Sequence, residues 1–505
     1  MLLLPLLALA SQVAITPLGR TYDPVPGYPG FAYNGFSSTP ATDGDHVALT
    51  TFIVAPGDAM SVLFRYPLAG GPPITIVNDD MIMPGSADPF LSITTPALHA
   101  GRAWWRGKNQ SGLLQGFYSG DGGPLSVVID NQTSGLNYFE PPVSSDGTHI
   151  HFTTGSGSAK KLYVMPAGGG TPTLVAESGD PVPGATDEFM YEVYAGMLAN
   201  GRLVFHAFCQ ETTFFRSFWS VLSYDVASGT LTEIAGLGTP MPQGAGTFEL
   251  VGWPATDGDR ILFRGSRGYV GFGGWVGIYQ WEAGVLSKVI DLSTMRPDGT
   301  PFNSFGTAYG WDGDDVVFAG VKNLAYAVDG LYVTRNGVLE KIVEYGDVIQ
   351  GTPIDTFGLG SAGIRDGKVT FSSSASFGGP QTLWVAELPH YGLDLARLTP
   401  VRRGTTARWE AGNALPGELG VLLLSTTGLG SSFCPPRLGG LCLDLAPPAR
   451  LIAADNADAS GLLVFDVPIP AQAPLISVYV QAAVSRGAGG VDSQKSRART
   501  ELVLP

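Results

Sequence analysis

The chain has 505 residues, 69 of them glycine and 38 proline, with 44% hydrophobic and only 14% charged residues. This composition supplies large apolar cores and many tight turns, and it argues against amphipathic helices laced with ion pairs. The formal net charge is −15, all of it accumulated before Arg397, because the residues from Arg397 onward carry a balance of +2. A surface this acidic repels phosphate backbones and argues against nucleic acid as a partner.

The first ten residues, Met1 to Ala10, form a short apolar run ending in Ala8-Leu9-Ala10, the small-residue pattern of a signal-peptide cleavage site. No basic residue precedes the run, which leaves the true start codon open. The run is too short to cross a bilayer, and no later stretch approaches the roughly 18 apolar residues that a span needs. Residues 1–10 are therefore expected to direct the chain to a secreted or extracytoplasmic location. The alternative is a buried first strand.

Self-similarity decides the fold. A short turn ending in glycine precedes an alternating strand seven times: Asp43-Gly44, Ala100-Gly101, Asp146-Gly147, Asn200-Gly201, Asp257-Gly258, Asp312-Gly313 and Asp366-Gly367. Successive glycines lie 57, 46, 54, 57, 55 and 54 residues apart. An aromatic residue closes a later strand of each unit, at Tyr66, Tyr118, Tyr163, Tyr224, Tyr279, Tyr332 and Trp384. A third landmark is a loop resembling Asp-x-Val-x-Gly followed by an aromatic, as from Asp23 to Phe31 and from Asp180 to Phe189. In the fifth unit strands are expected at 249–253, 260–264, 277–281 and 286–290, the first two joined by a two-residue Asp-Gly hairpin turn. Four antiparallel strands repeated at this spacing define propeller blades, which bury both faces only by stacking on one another.

The seventh unit stops at Leu383-Trp-Val-Ala386 without a clear fourth strand. Val13-Ala-Ile-Thr16 followed by Asp23-Pro-Val-Pro-Gly27 matches Leu174-Val-Ala-Glu177 followed by Asp180-Pro-Val-Pro-Gly184, which closes the third unit. The N-terminal strand is therefore expected to complete the last blade. After Asp394 the repeat ends, and short strands separated by Pro/Gly turns read as a sandwich. The chain is thus expected to be all-β: a signal peptide at 1–10, a seven-bladed β-propeller at 11–394 closed by the N-terminal strand, and a small β-sandwich at 395–505. Within the sandwich, Cys434 and Cys442 flank a Pro/Gly-rich loop and read as a local disulfide in an exported protein, whereas Cys209 reads as a small buried residue.

The tandem Asp/Asn-Gly-x-x-x-Phe units resemble a group of uncharacterised bacterial secreted propeller proteins. The sandwich, with Leu415-Pro-Gly417 and Asp455-Asn-Ala-Asp458, is similar to a C-terminal module found on bacterial secreted proteins. The resemblance implies fold and export, and it carries over no catalytic residue.

Candidate chemistry is sparse. Phosphate-loop, G-x-S-x-G and H-E-x-x-H patterns are absent. Asp88, Asp187 and Asp355 each stand two residues before the repeat aromatic, at one mouth of the channel. A carboxylate ring there would hold a cation, calcium being the natural one, although solvated loops are the plainer reading. Paired carboxylates such as Asp187 and Glu188 could instead do acid–base work on a sugar. His149 and His151 share one strand face, as a metal site would need, but blade-face histidines are commoner. Tyr191, Tyr194, Trp253 and Trp311 fall on or beside innermost strands, where they could stack a ligand or simply pack between blades. With no catalytic constellation and no cofactor motif, the leading expectation is an exported, non-enzymatic binding or scaffold protein. It would recognise an extracellular protein or glycan at the propeller mouth. The alternatives are a propeller hydrolase or lyase acting on extracellular glycans, and a calcium-stabilised structural surface protein.

Overall fold

The computed structural model describes residues 13–505 apart from 38, 214–215, 243–245, 268–276, 313–314, 322–327, 336–337, 366, 375–378, 389–392, 440, 491–492 and 497. The expected signal peptide, Gly313, Asp314 and Asp366 lie outside the described residues. The chain divides into two compact units, Met1–Val333 with Leu339–Leu388, and Thr334–Val338 with Pro389–Pro505.

The first unit consists of seven antiparallel sheets of four main strands, in chain order from the innermost strand outward in the first six. The innermost strands are Ala32–Phe36, Phe90–Ile93, Phe139–Ser145, Glu188–Ala199, Leu250–Thr256, Ser304–Asp312 and Thr356–Gly358. In the seventh sheet the outermost strand is Ala14–Arg20, antiparallel to Gln381–Glu387 with Ala14 opposite Glu387 and Arg20 opposite Thr382. The architecture is a seven-bladed β-propeller, closed by its N-terminal strand as the repeat of Asp-Pro-Val-Pro-Gly implies.

Each blade is apolar on both faces because it is packed on both. In the second blade Trp105 and Tyr118 join Ala48 and Leu63 of the first, while Trp104 and Phe117 join Phe139 and Phe152 of the third. Two of the landmarks keep the same beat for a physical reason: the loop aromatic packs edge-on against the strand aromatic of its own blade. Ring centroids are 5.5 Å apart for Phe90 and Tyr118, 4.8 Å for Phe248 and Tyr279, and 5.1 Å for Phe302 and Tyr332.

The turns between the first two strands are of two kinds. Ala100-Gly101 and Asn200-Gly201 are two-residue turns with positive φ at both positions, His99 pairing with Arg102 and Ala199 with Arg202. The Asp-Gly copies of blades one, three and five are longer, whereas in the seventh blade Arg365 pairs directly with Lys368. In the fifth blade Thr256 pairs with Ile261, so the expected two-residue turn is not what forms. The carboxylate is the cause: Asp257 Oδ1 accepts the amides of Asp259 and Arg260 at 3.2 and 2.8 Å and so stabilises a wider loop. Asp43 Oδ1 and Asp146 Oδ1 cap their turns in the same way. Their second oxygens reach the next blade. Asp43 Oδ2 accepts the Gly101 amide at 2.5 Å, and Asp146 Oδ2 accepts the Gly201 amide at 2.8 Å. Gly147, at φ +85°, lies so close to His99 of the preceding blade that a Cβ would collide with its ring.

The second unit is a sandwich of Asp394–Arg397, Thr406–Gly412 and Leu463–Pro468 against Ala449–Asn456, Leu419–Ser425 and Ser477–Val484, the last flanked by Gln494–Lys495 and Arg499–Leu502. Trp409, Leu422, Phe465 and Val480 lie in its core. The Cys434–Cys442 disulfide is present. Among the described residues, no helix is long and apolar enough to cross a membrane.

Asp146→Ala removes the two amide bonds within its turn and the one to the next blade. It should cost about 1–3 kcal/mol and lower the Tm in a thermal melt. Asp121→Ala, in an exposed turn with a single bond to Gly123, is the control and should leave the Tm unchanged. Equal melts for both variants would show that the latch carries no stability.

Candidate ligand-binding channel

The seven innermost strands surround a cavity of about 670 Å³ to which every blade contributes. Its wall is made where these strands break their pairing. Register slips between Glu140 and Ser144, Tyr194 and Met197, Gly252 and Ala255, and Phe305 and Tyr309. In blades one and two the strand is interrupted ahead of the short pieces Ala41–Thr42 and Ala97–His99. Pro40, Pro96 and Pro254 stand at these interruptions and line the cavity. Proline brings no N–H to a ladder, so the ladder opens there and presents small residues to the axis. The signal is in the sequence: Pro40-Ala-Thr-Asp-Gly44 recurs unchanged as Pro254-Ala-Thr-Asp-Gly258, a fourth landmark next to the turn.

In the fifth blade the residue before that proline is Trp253, at φ 50° and 39% exposed. Its carbonyl accepts the Tyr309 hydroxyl of the sixth blade, which also reaches Gly252 O at 3.3 Å. The Arg264 guanidinium lies 5.1 Å from its ring centroid, His206 5.7 Å and Trp219 6.5 Å. Tyr194 lies parallel to His206 at 5.1 Å. Its hydroxyl donates to Glu192 Oε2 at 2.6 Å, and Lys160 Nζ stands 4.6 Å from its ring centroid. Lys160 also bridges Glu192 at 2.9 Å and Glu140 at 3.3 Å. The cluster spans blades three to five, and His206 and Trp253 are its members that line the cavity.

Electrostatics follow from burial. Burial depresses His206 and His151 to about 4, so both are neutral at pH 7. It also lowers Arg264 to about 9, which leaves the guanidinium charged. Burial opposes ionisation of Glu192, but the hydrogen bonds from Tyr194 and Lys160 outweigh it and hold the carboxyl below its usual range.

Of the aromatics singled out by sequence, Trp253 and Trp311 line the cavity. Trp311 is only 8% exposed, with Nε1 donating to Gln280 Oε1 at 3.3 Å. Tyr194 stacks on His206 without lining the cavity, and Tyr191 packs edge-on against Phe208. Asp88 Oδ2 accepts from Asn109 Nδ2 at 3.3 Å, the Asp187 carbonyl accepts the Thr212 amide, and the Asp355 amide donates to Ser374 O. These contacts tie each aspartate to its own blade. Among the described residues, no three His, Cys, Asp or Glu side chains gather as a metal site would need. Burial, with Glu233, Asp187 and Glu211 nearby, raises Glu188.

His151 Nδ1 lies 2.8 Å from Ser144 Oγ, which accepts the Leu198 amide of the next blade at 2.8 Å. The pair faces the cavity through Ser144 but is no nucleophile dyad. His151 is too acidic to take a proton at neutral pH, and its Nε2 has no hydrogen-bond partner among the described residues. The Cys209 thiol is buried and pushed up to about 12, which makes it unreactive.

The site and fold define a propeller with an open axial cavity. A family of unknown function (DUF7453) matches residues 148–390. No curated protein matches the chain. Among solved structures, the β-propeller domain of the Trilobed protease from Pyrococcus furiosus aligns at 11% identity over 74% of this chain and 94% of that one, with a TM-score of 0.46. The polysaccharide lyase Uly1 aligns at 12% identity over 74% of this chain and 99% of its own, with a TM-score of 0.43. Pyrococcus horikoshii acylaminoacyl peptidase aligns at 14% identity over 75% of this chain but 49% of its own, with a TM-score of 0.33.

The two buried histidines make stability depend on pH. The unfolded chain binds protons near the ordinary histidine value of about 6.5, the folded one only near 4. Stability is therefore full above about 6.5 and lost as pH falls towards 4. Denaturant melts across this window should show the loss, and His206→Phe should remove its own share while leaving that of His151. A wild-type profile with no slope there would mean that neither imidazole is held neutral.

Proposed function

We propose that the protein is an exported recognition protein whose propeller takes a ligand into the axial channel without transforming it. One observation carries the reading. Trp253 holds a backbone conformation that costs a non-glycine residue about 1–3 kcal/mol, and it is kept there by a hydroxyl from the next blade. The result is a partly exposed indole on the cavity wall beside His206, with 39% of its surface left open by its neighbours. Aromatic faces in such a setting stack rings. Export is supported by the apolar run ending at Ala10 and by the disulfide, which persists in oxidising compartments.

A second reading, a glycan hydrolase or lyase, has one observation in its favour. Glu140 and Glu192 both touch Lys160, so their carboxylates lie close enough for paired acid–base work. Both are already engaged by that lysine, and for this reason the binding reading is preferred.

Tryptophan fluorescence of the chain from Ser11 should respond to a member of an oligosaccharide and peptide panel, with Trp253→Ala weakening binding at least about tenfold. The bound oligosaccharide should be recovered intact. Cleavage that Glu140→Gln and Glu192→Gln each abolish would replace binding with catalysis.

A further inference from the structure

Given the binding channel proposed above, on which this rests, we infer that the ligand is an uncharged saccharide. One of its hydroxyls is hydrogen-bonded by His206 Nε2 while its ring lies on Trp253.

His206 belongs to Arg202–Glu211, the second strand of the fourth blade, and pairs with Tyr194 of the innermost strand. The innermost strand slips register directly after that pair, between Tyr194 and Met197. Ala195 and Gly196 fill the slip, and at Gly196 a Cβ would fall 1.6 Å from the Val204 carbonyl oxygen. Ala195, Gly196 and His206 all line the cavity, so a side chain of the second strand reaches the axis where the first strand is reduced to small residues. The imidazole stands beside Trp253, with ring centroids 5.7 Å apart. It is 8% exposed, and its side chain makes no hydrogen bond among the described residues. Nδ1 is sealed from solvent without a partner, which leaves Nε2 as the nitrogen open to the cavity. Buried polar groups are ordinarily paired, so an imidazole left this way marks a place for an incoming partner. Burial keeps the ring neutral at pH 7, and a hydroxyl answers a neutral ring nitrogen whether that nitrogen donates or accepts.

The charged groups of the same lining are already spent. Asp146 gives one oxygen to the amides of Thr148 and His149 and the other to Gly201. Asp257 gives one oxygen to amides of its own turn and the other to Arg260, whose Nε and terminal nitrogen lie 2.7 and 2.6 Å away. The Arg260 guanidinium also covers the Trp311 ring at 5.4 Å. Arg365 is likewise engaged. Three lining hydroxyls are spent as well: Thr42, Ser145 and Thr256 each donate to a carbonyl of their own blade and accept the amide of the turn glycine. The other lining imidazole, His99, is wedged against Gly147 of the next blade. An ion entering here would lose hydration without gaining a counter-charge, and a chain of net charge −15 repels anions in particular. An uncharged sugar ring asks less of the wall. Its apolar face stacks on the indole, one hydroxyl meets His206 Nε2, and the other hydroxyls face the water of the channel.

The test titrates oligosaccharides of glucose, mannose and galactose into the chain from Ser11 by calorimetry, each beside the same sugar oxidised to the uronic acid. The best uncharged sugar should bind about tenfold or more tighter than its acidic counterpart. One of its monodeoxy analogues should bind about tenfold more weakly than the parent. In His206→Phe that deoxy penalty should shrink to under about twofold while tryptophan fluorescence still responds to the sugar. His206→Gln, which offers a side-chain amide to the cavity, should restore part of the penalty. An acidic sugar that binds as tightly as its uncharged form overturns the inference, as do deoxy analogues that all bind like the parent. A deoxy penalty that His206→Phe leaves intact overturns it as well. If His206→Phe does not fold, the wild-type margins over the acidic and deoxy forms decide. Binding of a peptide with no response to any sugar overturns the saccharide inference and leaves the channel reading standing. No response to any sugar or peptide fails the channel reading itself.

Discussion

The stitching of the early blades depends on how two turn aspartates, Asp43 and Asp146, divide their two oxygens. One oxygen closes the turn on itself by accepting amides two and three residues ahead; the other accepts the glycine amide of the next blade. A single carboxylate therefore sets both the shape of a blade's inner hairpin and its distance from its neighbour. Asp43 and Asp146 are almost wholly buried by this arrangement, which shields the bonds from competing water. Where the turn carries Asn200 instead, the latch runs through the side-chain amide to Asp257 O at 2.7 Å. The stitch changes its atoms and keeps its place.

The channel is the counterpart of that stitch. Immediately before the latched turn, each inner strand loses its pairing, and proline or glycine stands at the break in several blades. Tight pairing at the turns and broken pairing just above them are two halves of one design, since a strand anchored at its end can bulge without unravelling. Trp253 shows what this permits. Its unusual backbone is tolerated because Asp257 pins one side of the bulge and Tyr309 the other.

The blade count, ring closure and disulfide are legible in the sequence because they rest on residues that repeat or stand alone: a glycine in a turn, an aromatic against an aromatic, two cysteines around one loop. The turn geometry is less so. Asp-Gly suggests a two-residue hairpin until the carboxylate's bonds across the loop are seen. Trp253 and Trp311 are indistinguishable in the chain, yet one is exposed and the other sealed under Arg260, a difference made by residues of adjacent blades. Contacts between blades have no period in the sequence, and the site is built almost entirely of them.

The closing strand Ala14–Arg20 pairs with Gln381–Glu387, at the far end of the propeller's sequence. Such a join has a very high sequence separation, and its loop-closure entropy must be met before the ring exists. Until Ala14–Arg20 docks, the edge of the seventh blade at Gln381–Glu387 is unpaired. The pairings within the first six blades are local in sequence, whereas the ring closes only through this one distant pair. A chain organised in this way delays its own completion, and it remains an open array of sheets for as long as its two ends are kept apart.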